Sequence, residues 1–265
     1  MAPISPKQPP RDIRRIVEEQ VHKWELLQRG KPSGALKTEE RPWPLVTVSR
    51  EHGSLGSAVA EKAAQLLGFS FWDQELVHLI AQQTGAQELL VASLDERARN
   101  RIEDFICQLL IGVESSIAEY VRHVARLART FERHGSAVIV GRGVQFILDP
   151  DFVFRVRVVC PEEIRMARIA ELHGSSSKEA LRRVKEVERE RALFIRRHYN
   201  RDIHASWQYD LVINTGHLTV QTAAEAIVAG YKLKFPSPDR AEVQIPEQVL
   251  DSAPLNALPL PPRLG

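Results

Sequence analysis

Residues 44–57 read Pro44-Leu45-Val46-Thr47-Val48-Ser49-Arg50-Glu51-His52-Gly53-Ser54-Leu55-Gly56-Ser57, and this stretch decides the fold. A short β-branched run leads into a turn with two glycines, and the small residues beyond it open a helix. Such a junction is where α/β proteins hold phosphate. The first N–H groups of a helix lack intrahelical partners, and the helix dipole favours an anion there. The full phosphate-loop pattern, G-x-x-x-x-G-K-[ST], carries a lysine that this stretch lacks. Three side chains offer substitutes. Arg50 presents a guanidinium fork to phosphate oxygens, and Ser54 and Ser57 add hydroxyls. Ser57 also stands where a loop hydroxyl meets magnesium. Gly53, Ser54, Gly56 and Ser57, with Arg50, are therefore the candidate donor-phosphate residues.

The residues that follow repeat the theme. Residues 57–67 form a small-residue helix stopped by Gly68, and 69–72 form a second strand ending at Asp73. Strand, helix, strand in this space is a βαβ unit and implies a parallel sheet. Residues 74–133 then run helical, and the segment from Ile102 to Phe131 is apolar at helical spacing, so this block is a helical insertion. Residues 136–140 (SAVIV) form a third strand buried on both faces, followed by Gly141-Arg142-Gly143. In the fourth strand, 153–159, alternating Arg155 and Arg157 predict a more exposed face. Pro161 opens a helix at its first position, and 177–200 form a long, arginine-rich helix after flexible 174–177. Residues 210–214 (DLVIN) give the fifth strand, and a closing helix follows a Thr219 cap. Five strands alternating with helices predict a doubly wound parallel α/β sheet. Its ligands bind at the carboxyl ends of the strands, which gathers the glycine turn, Asp73 and Arg142 at one edge. Asp73 can cap the next helix or orient an acceptor, and the basic helix can close over phosphates and supply charge.

Working outward to the ends, residues 11–29 carry one apolar stripe, 30–44 read as a linker, and both termini are rich in proline. The stripe favours docking on the domain over self-association or a protein partner. With 265 residues, 43% of them apolar, one sizeable core is expected. A net charge of +2 gives no argument for nucleic acid or an anionic membrane. Cys107 and Cys160 lack metal-ligand spacing and read as buried thiols. No apolar run reaches the length of a membrane span and the N-terminus has no signal-like apolar stretch, so a cytoplasmic protein is the expectation.

Taken in order, VTVSREHGSLGSAVAEKAAQLLGFSFWDQELV, AVIVGRGVQFIL, VRVVCPEEIRMARIA and RERALFIRRHYNRDIHASWQYDLVINT resemble the cytidylate-kinase-like family of P-loop nucleoside-monophosphate kinases, over about residues 45–235. The resemblance implies a strand order of 2-3-1-4-5 and transfer of the ATP γ-phosphoryl, with Mg2+, to CMP or dCMP. It covers a kinase domain at 45–235, and composition sets an N-terminal appendage at 1–44 and a proline-rich tail at 236–265 outside it. Within the domain, 74–133 would bind the acceptor and 174–206 would form a lid. Arg50 and residues 53–57 would meet donor phosphates, Asp73, Gly141 and Arg142 the acceptor, and Asn214-Thr215 the donor base. Arg189, Arg191 and Arg197 of the lid, with Arg50 and Asp73, would serve catalysis. The chain departs from the family pattern at Leu55, Gly56, Ser57 and Gly143. These departures motivate a second reading, a nucleotide-binding homologue with a regulatory role.

Overall fold

The computed structural model describes residues 15–19, 21, 22, 44–82 and 115–236. Cys107, the middle of the helical block and nearly all of both tails lie outside the described residues. Strand β1 (Leu45–Arg50) is the centre of a five-stranded sheet, flanked by β3 (Ala137–Val140) and β4 (Val153–Val159). The edges are β2 (Ser70–Trp72) and β5 (Leu211–Asn214), giving the order β2-β3-β1-β4-β5 with every pair parallel. This is the order implied by the family resemblance. The chain leaves β1 toward one side and returns through β4 on the other. The carboxyl ends of β1 and β3 therefore diverge around a crevice.

Strand alternation divides the core between two faces. Val46, Val48, Val138, Val140, Val156 and Val158 face one layer, built by α1 (Gly56–Leu67) and α6 (Val220–Lys234). Those helices present Ala60, Ala63, Ala64, Ala223 and Ala224, and small side chains let the helices sit close to the strands. Leu45, Ile139, Val153 and Trp72 face the other layer, with α2 (Gln74–Gln82) and α3 (Ser115–His134). Phe131 of α3 packs on Trp72 with ring centroids 4.5 Å apart. Val17 from the N-terminal helical stretch is fully buried in this layer, with Ile16 and Val21 beside it. The described part of that segment's apolar stripe, Ile16, Val17 and Val21, therefore lies on the domain.

Helices α4 (Glu162–His173) and α5 (Ser177–Tyr199) pack on each other through Ile169, Ala180 and Val184. Ser176 and Glu179 form a reciprocal capping box that starts α5, and Asn200 ends it in the left-handed conformation. Two local expectations change. Pro161 is the cap of α4 rather than its first helical residue. Arg157 is only 4% exposed. Of the two β4 arginines, Arg157 is buried against the Ser49 hydroxyl, and Arg155 stays half-buried, bound by Asp210.

Candidate functional site

The turn between β1 and α1 is fixed from behind. The Glu51 N–H donates to the Val158 carbonyl (3.0 Å), continuing the β1–β4 pairing past the strand end. The Thr215 hydroxyl donates to the Ser54 carbonyl (2.7 Å), and Arg168 donates to the Gly53 carbonyl (3.3 Å). Gly53 has φ +83, and a Cβ there would stand 2.9 Å from the Arg165 carbonyl oxygen, so glycine is needed for both backbone and space. Arg165 is itself held by Glu51 and Glu188, each at 3.4 Å, and donates to the Cys160 carbonyl (2.8 Å). The N–H groups of Ser57 and Ala58, in the first turn of α1, take no acceptor among the described residues, and both residues border an open cavity of about 500 Å³. An anion is the chemical complement of such an end.

The carboxyl ends of β1, β3 and β4 add a cluster of guanidinium groups. Arg50 donates to the Gln74 side-chain oxygen, and Arg142 donates to the Gln74 carbonyl (3.4 Å). Arg157 donates to the Ser49 hydroxyl (2.8 Å), and Arg191 of α5 reaches the Arg50 carbonyl (3.0 Å). Among the described residues these four arginines make no ion pair, whereas nearby Arg165 makes two. Burial, then Arg191, Arg142 and Arg157, push the Arg50 guanidinium down to about 9, so it is still a cation at neutral pH. Burial also lowers Arg191. Burial, then Arg191 and Arg183, hold His52 down to about 4, so the loop histidine adds no charge at neutral pH. A concentration of buried and half-buried cations that make no ion pair among the described residues is costly alone and is relieved by a polyanion.

Arg50, Gln74 and Arg142 line two adjoining cavities. The larger adds Ser57, Glu61, Asp73 and Glu75; the other, about 310 Å³, adds Ser49, Gly141 and the α5 residues Glu190, Arg191 and Phe194. Val187, Glu190, Arg191, Phe194 and Ile195 recur at helical spacing, so one stripe of α5 covers this cavity.

The structure thus brings Arg50, Ser57, Asp73, Gly141, Arg142 and Arg191 to one crevice. Asp73 also caps α2, accepting from the Leu76 N–H (2.7 Å). Ser54 behaves differently from expectation. It is fully buried and its hydroxyl is used inside the loop, donating to the Glu51 carbonyl (2.8 Å) and accepting from the Gly56 N–H (3.3 Å). Arg189 and Arg197 are exposed and lie off the α5 stripe that faces the cavity. Leu55 is 42% exposed at φ 60 and borders neither cavity. Sequence reasoning missed Gln74, Arg157, Arg165 and Arg168. Gln74 carries no motif signal, Arg157 looked exposed, and the α4 arginines act on the loop through the fold.

No cluster of three or more His, Cys, Asp or Glu among the described residues could hold a metal ion. The Ser57 hydroxyl and the Asp73 carboxylate, on one cavity, suit a cation carried mainly by phosphate oxygens.

A family profile described as the cytidylate kinase-like family matches residues 45–217. A cytidylate kinase of Natronomonas pharaonis is 28% identical over 206 residues, covering 76% of this chain and 95% of that protein. A crystal structure of an uncharacterized protein from Eubacterium ventriosum is similar in fold, with a TM-score of 0.56 at 22% identity, covering 72% of this chain and 98% of that one.

Proposed function

This chain belongs to the cytidylate kinase-like family, and from that premise we propose that it is a nucleoside-monophosphate kinase moving the γ-phosphoryl of ATP to CMP or dCMP. An acceptor phosphate oxygen attacks the γ-phosphorus, the bond to the β,γ-bridging oxygen breaks, and ADP and a nucleoside diphosphate leave. The observation that carries this reading is a set of four arginines, Arg50, Arg142, Arg157 and Arg191, that make no ion pair among the described residues, with Arg50 and Arg142 lining the cavity at the first turn of α1.

In this reading the donor phosphates lie against the N–H groups of Ser57 and Ala58, and Arg50 meets their charge. Arg142, Gly141 and Asp73 receive the acceptor nucleotide across the crevice. Arg191 stands over the gap between them, where charge develops during transfer. Ser57 and Asp73 would be the residues to hold a magnesium ion carried mainly by the donor phosphates, and the ion would supply charge neutralisation there. Segment 174–206 covers the phosphates and 74–133 selects the acceptor. Arg189 and Arg197 are assigned no contact in this conformation. No helix of the described residues is long and apolar enough to cross a membrane, and a cytoplasmic setting is part of the proposal.

The alternative, a regulatory nucleotide binder without turnover, would gain support from a leucine filling the phosphate hollow. Leu55 lies outside both cavities instead. An ADP-release assay with magnesium and ATP, run across CMP, dCMP, UMP and AMP, separates the two. Turnover with CMP or dCMP ahead of the others is expected, and no turnover with any acceptor overturns the proposal.

A further inference from the structure

Gly56 begins α1 with an ordinary backbone, since it is not among the residues of positive φ. Conformation does not require a glycine there; space does. A Cβ at position 56 would overlap the Arg50 Cβ and lie 3.1 Å from both the Arg50 Cγ and the Val158 Cβ. The Arg50 stem thus occupies the volume from which a side chain at 56 would depart. Position 56 directly precedes Ser57, and the phosphate-loop pattern places its lysine directly before the Ser/Thr.

We infer that the cation of this loop has been transposed from position 56 to position 50, so that Arg50 and a side chain at 56 exclude one another. The charge role of Arg50 rests on the nucleotide-kinase reading above; the exclusion itself does not. Arg50 leaves the end of β1, its stem crosses the start of α1, and its guanidinium ends between the two cavities, bonded to Gln74 and close over Gly141. A lysine ammonium is a point charge, whereas this fork can hold two oxygens at once. From this place it can address donor and acceptor phosphates together. The transposition also explains why the loop lacks its lysine while the crevice keeps its cation.

A substitution cycle tests both halves. Thermal unfolding reads the packing. Gly56→Ala lowers the melting temperature by roughly 4 °C or more with Arg50 present and by clearly less in an Arg50→Gly background, where only the 3.1 Å approach to the Val158 Cβ remains. Equal shifts in both backgrounds overturn the exclusion. Titration calorimetry with ATP and magnesium reads the charge. Arg50→Gly weakens binding by roughly tenfold or more, and Arg50→Gly with Gly56→Lys recovers to within about threefold of the parent. Arg50→Ala with Gly56→Lys does not recover, because alanine keeps the overlapping Cβ. A double variant no better than Arg50→Gly overturns the transposed charge. If the parent chain binds no ATP, the kinase reading and the charge role fall together, and the melting cycle still decides the exclusion.

Discussion

Gln74 holds two of the site's cations at once, through its side-chain oxygen to Arg50 and its carbonyl to Arg142. It touches neither through charge, so its proposed part is to fix where the guanidiniums point. Gln74→Leu removes the Arg50 acceptor while leaving the backbone bond to Arg142. The expected outcome is a fall in kcat/KM of about tenfold, the scale of one hydrogen bond to a charged group, with the melting temperature nearly unchanged. Gln74→Glu keeps the acceptor but pairs with Arg50, so nucleotide affinity falls although the geometry survives. Steady-state kinetics with both substrates and a melting curve check this, and parent-like activity of Gln74→Leu removes Gln74 from the site. At this scale the sequence exposed Arg50, Ser57, Asp73 and Arg142, because strand ends and glycine turns announce themselves. Gln74 stayed hidden, since nothing in a glutamine after an aspartate indicates that two distant strands deliver arginines to it.

At the scale of the element, α5 is tied to the crevice at several points along its length. Glu188 accepts from the His52 N–H (2.6 Å), Arg191 bonds the Arg50 carbonyl, and the Tyr199 hydroxyl donates to the Arg142 carbonyl (2.6 Å). Phe194 lies 5.9 Å under the Arg142 guanidinium. Tyr199 also accounts for a departure from the family pattern. A Cβ at Gly143 would overlap the Tyr199 ring, and Gly143 sits at φ +71. Gly143→Ala is therefore expected to destabilise by at least ~2 kcal/mol, combining backbone strain with overpacking. Gly174→Ala, at φ +58 with no atom within 4 Å of the added Cβ, should cost only about 1 kcal/mol. Tyr199→Phe loses one hydrogen bond, about 1 kcal/mol, and loosens Arg142. Denaturant unfolding of the three variants checks the ranking, and equal losses for the two glycine variants would break it. The charge pattern of 177–200 marked a basic helix. Which arginines face inward depended on its rotation, and that is set by Ala180 and Val184 packing on α4.

For the molecule as a whole, pH tests the burial of ionisable groups. Burial holds His134, at the end of α3, down to about 4 from an ordinary 6.5. A base with a depressed folded pKa favours the neutral form in the fold. Between pH 6.5 and 4 the unfolded chain binds more protons, so stability falls as pH drops through that window and is flat above it for this group. Relative to His134→Gln, the parent should lose about 2 kcal/mol between pH 7.5 and 4, measured by urea unfolding. A pH-independent difference would refute the buried neutral state. The same scale separates what the chain's order fixes from what only its packing fixes. Strand and helix periodicity, with the glycine turn after β1, determined a parallel α/β sheet, because alternation and helical spacing are local consequences of backbone geometry. The motifs in series identified the family. Tertiary structure alone decided that Ser54 is spent inside the loop, that Arg157 is buried and that Arg189 and Arg197 face outward. It also set the Arg50 stem in the place that Gly56 leaves empty. Those outcomes depend on which atoms from distant segments fill the same volume, and volume is shared only after the chain has folded.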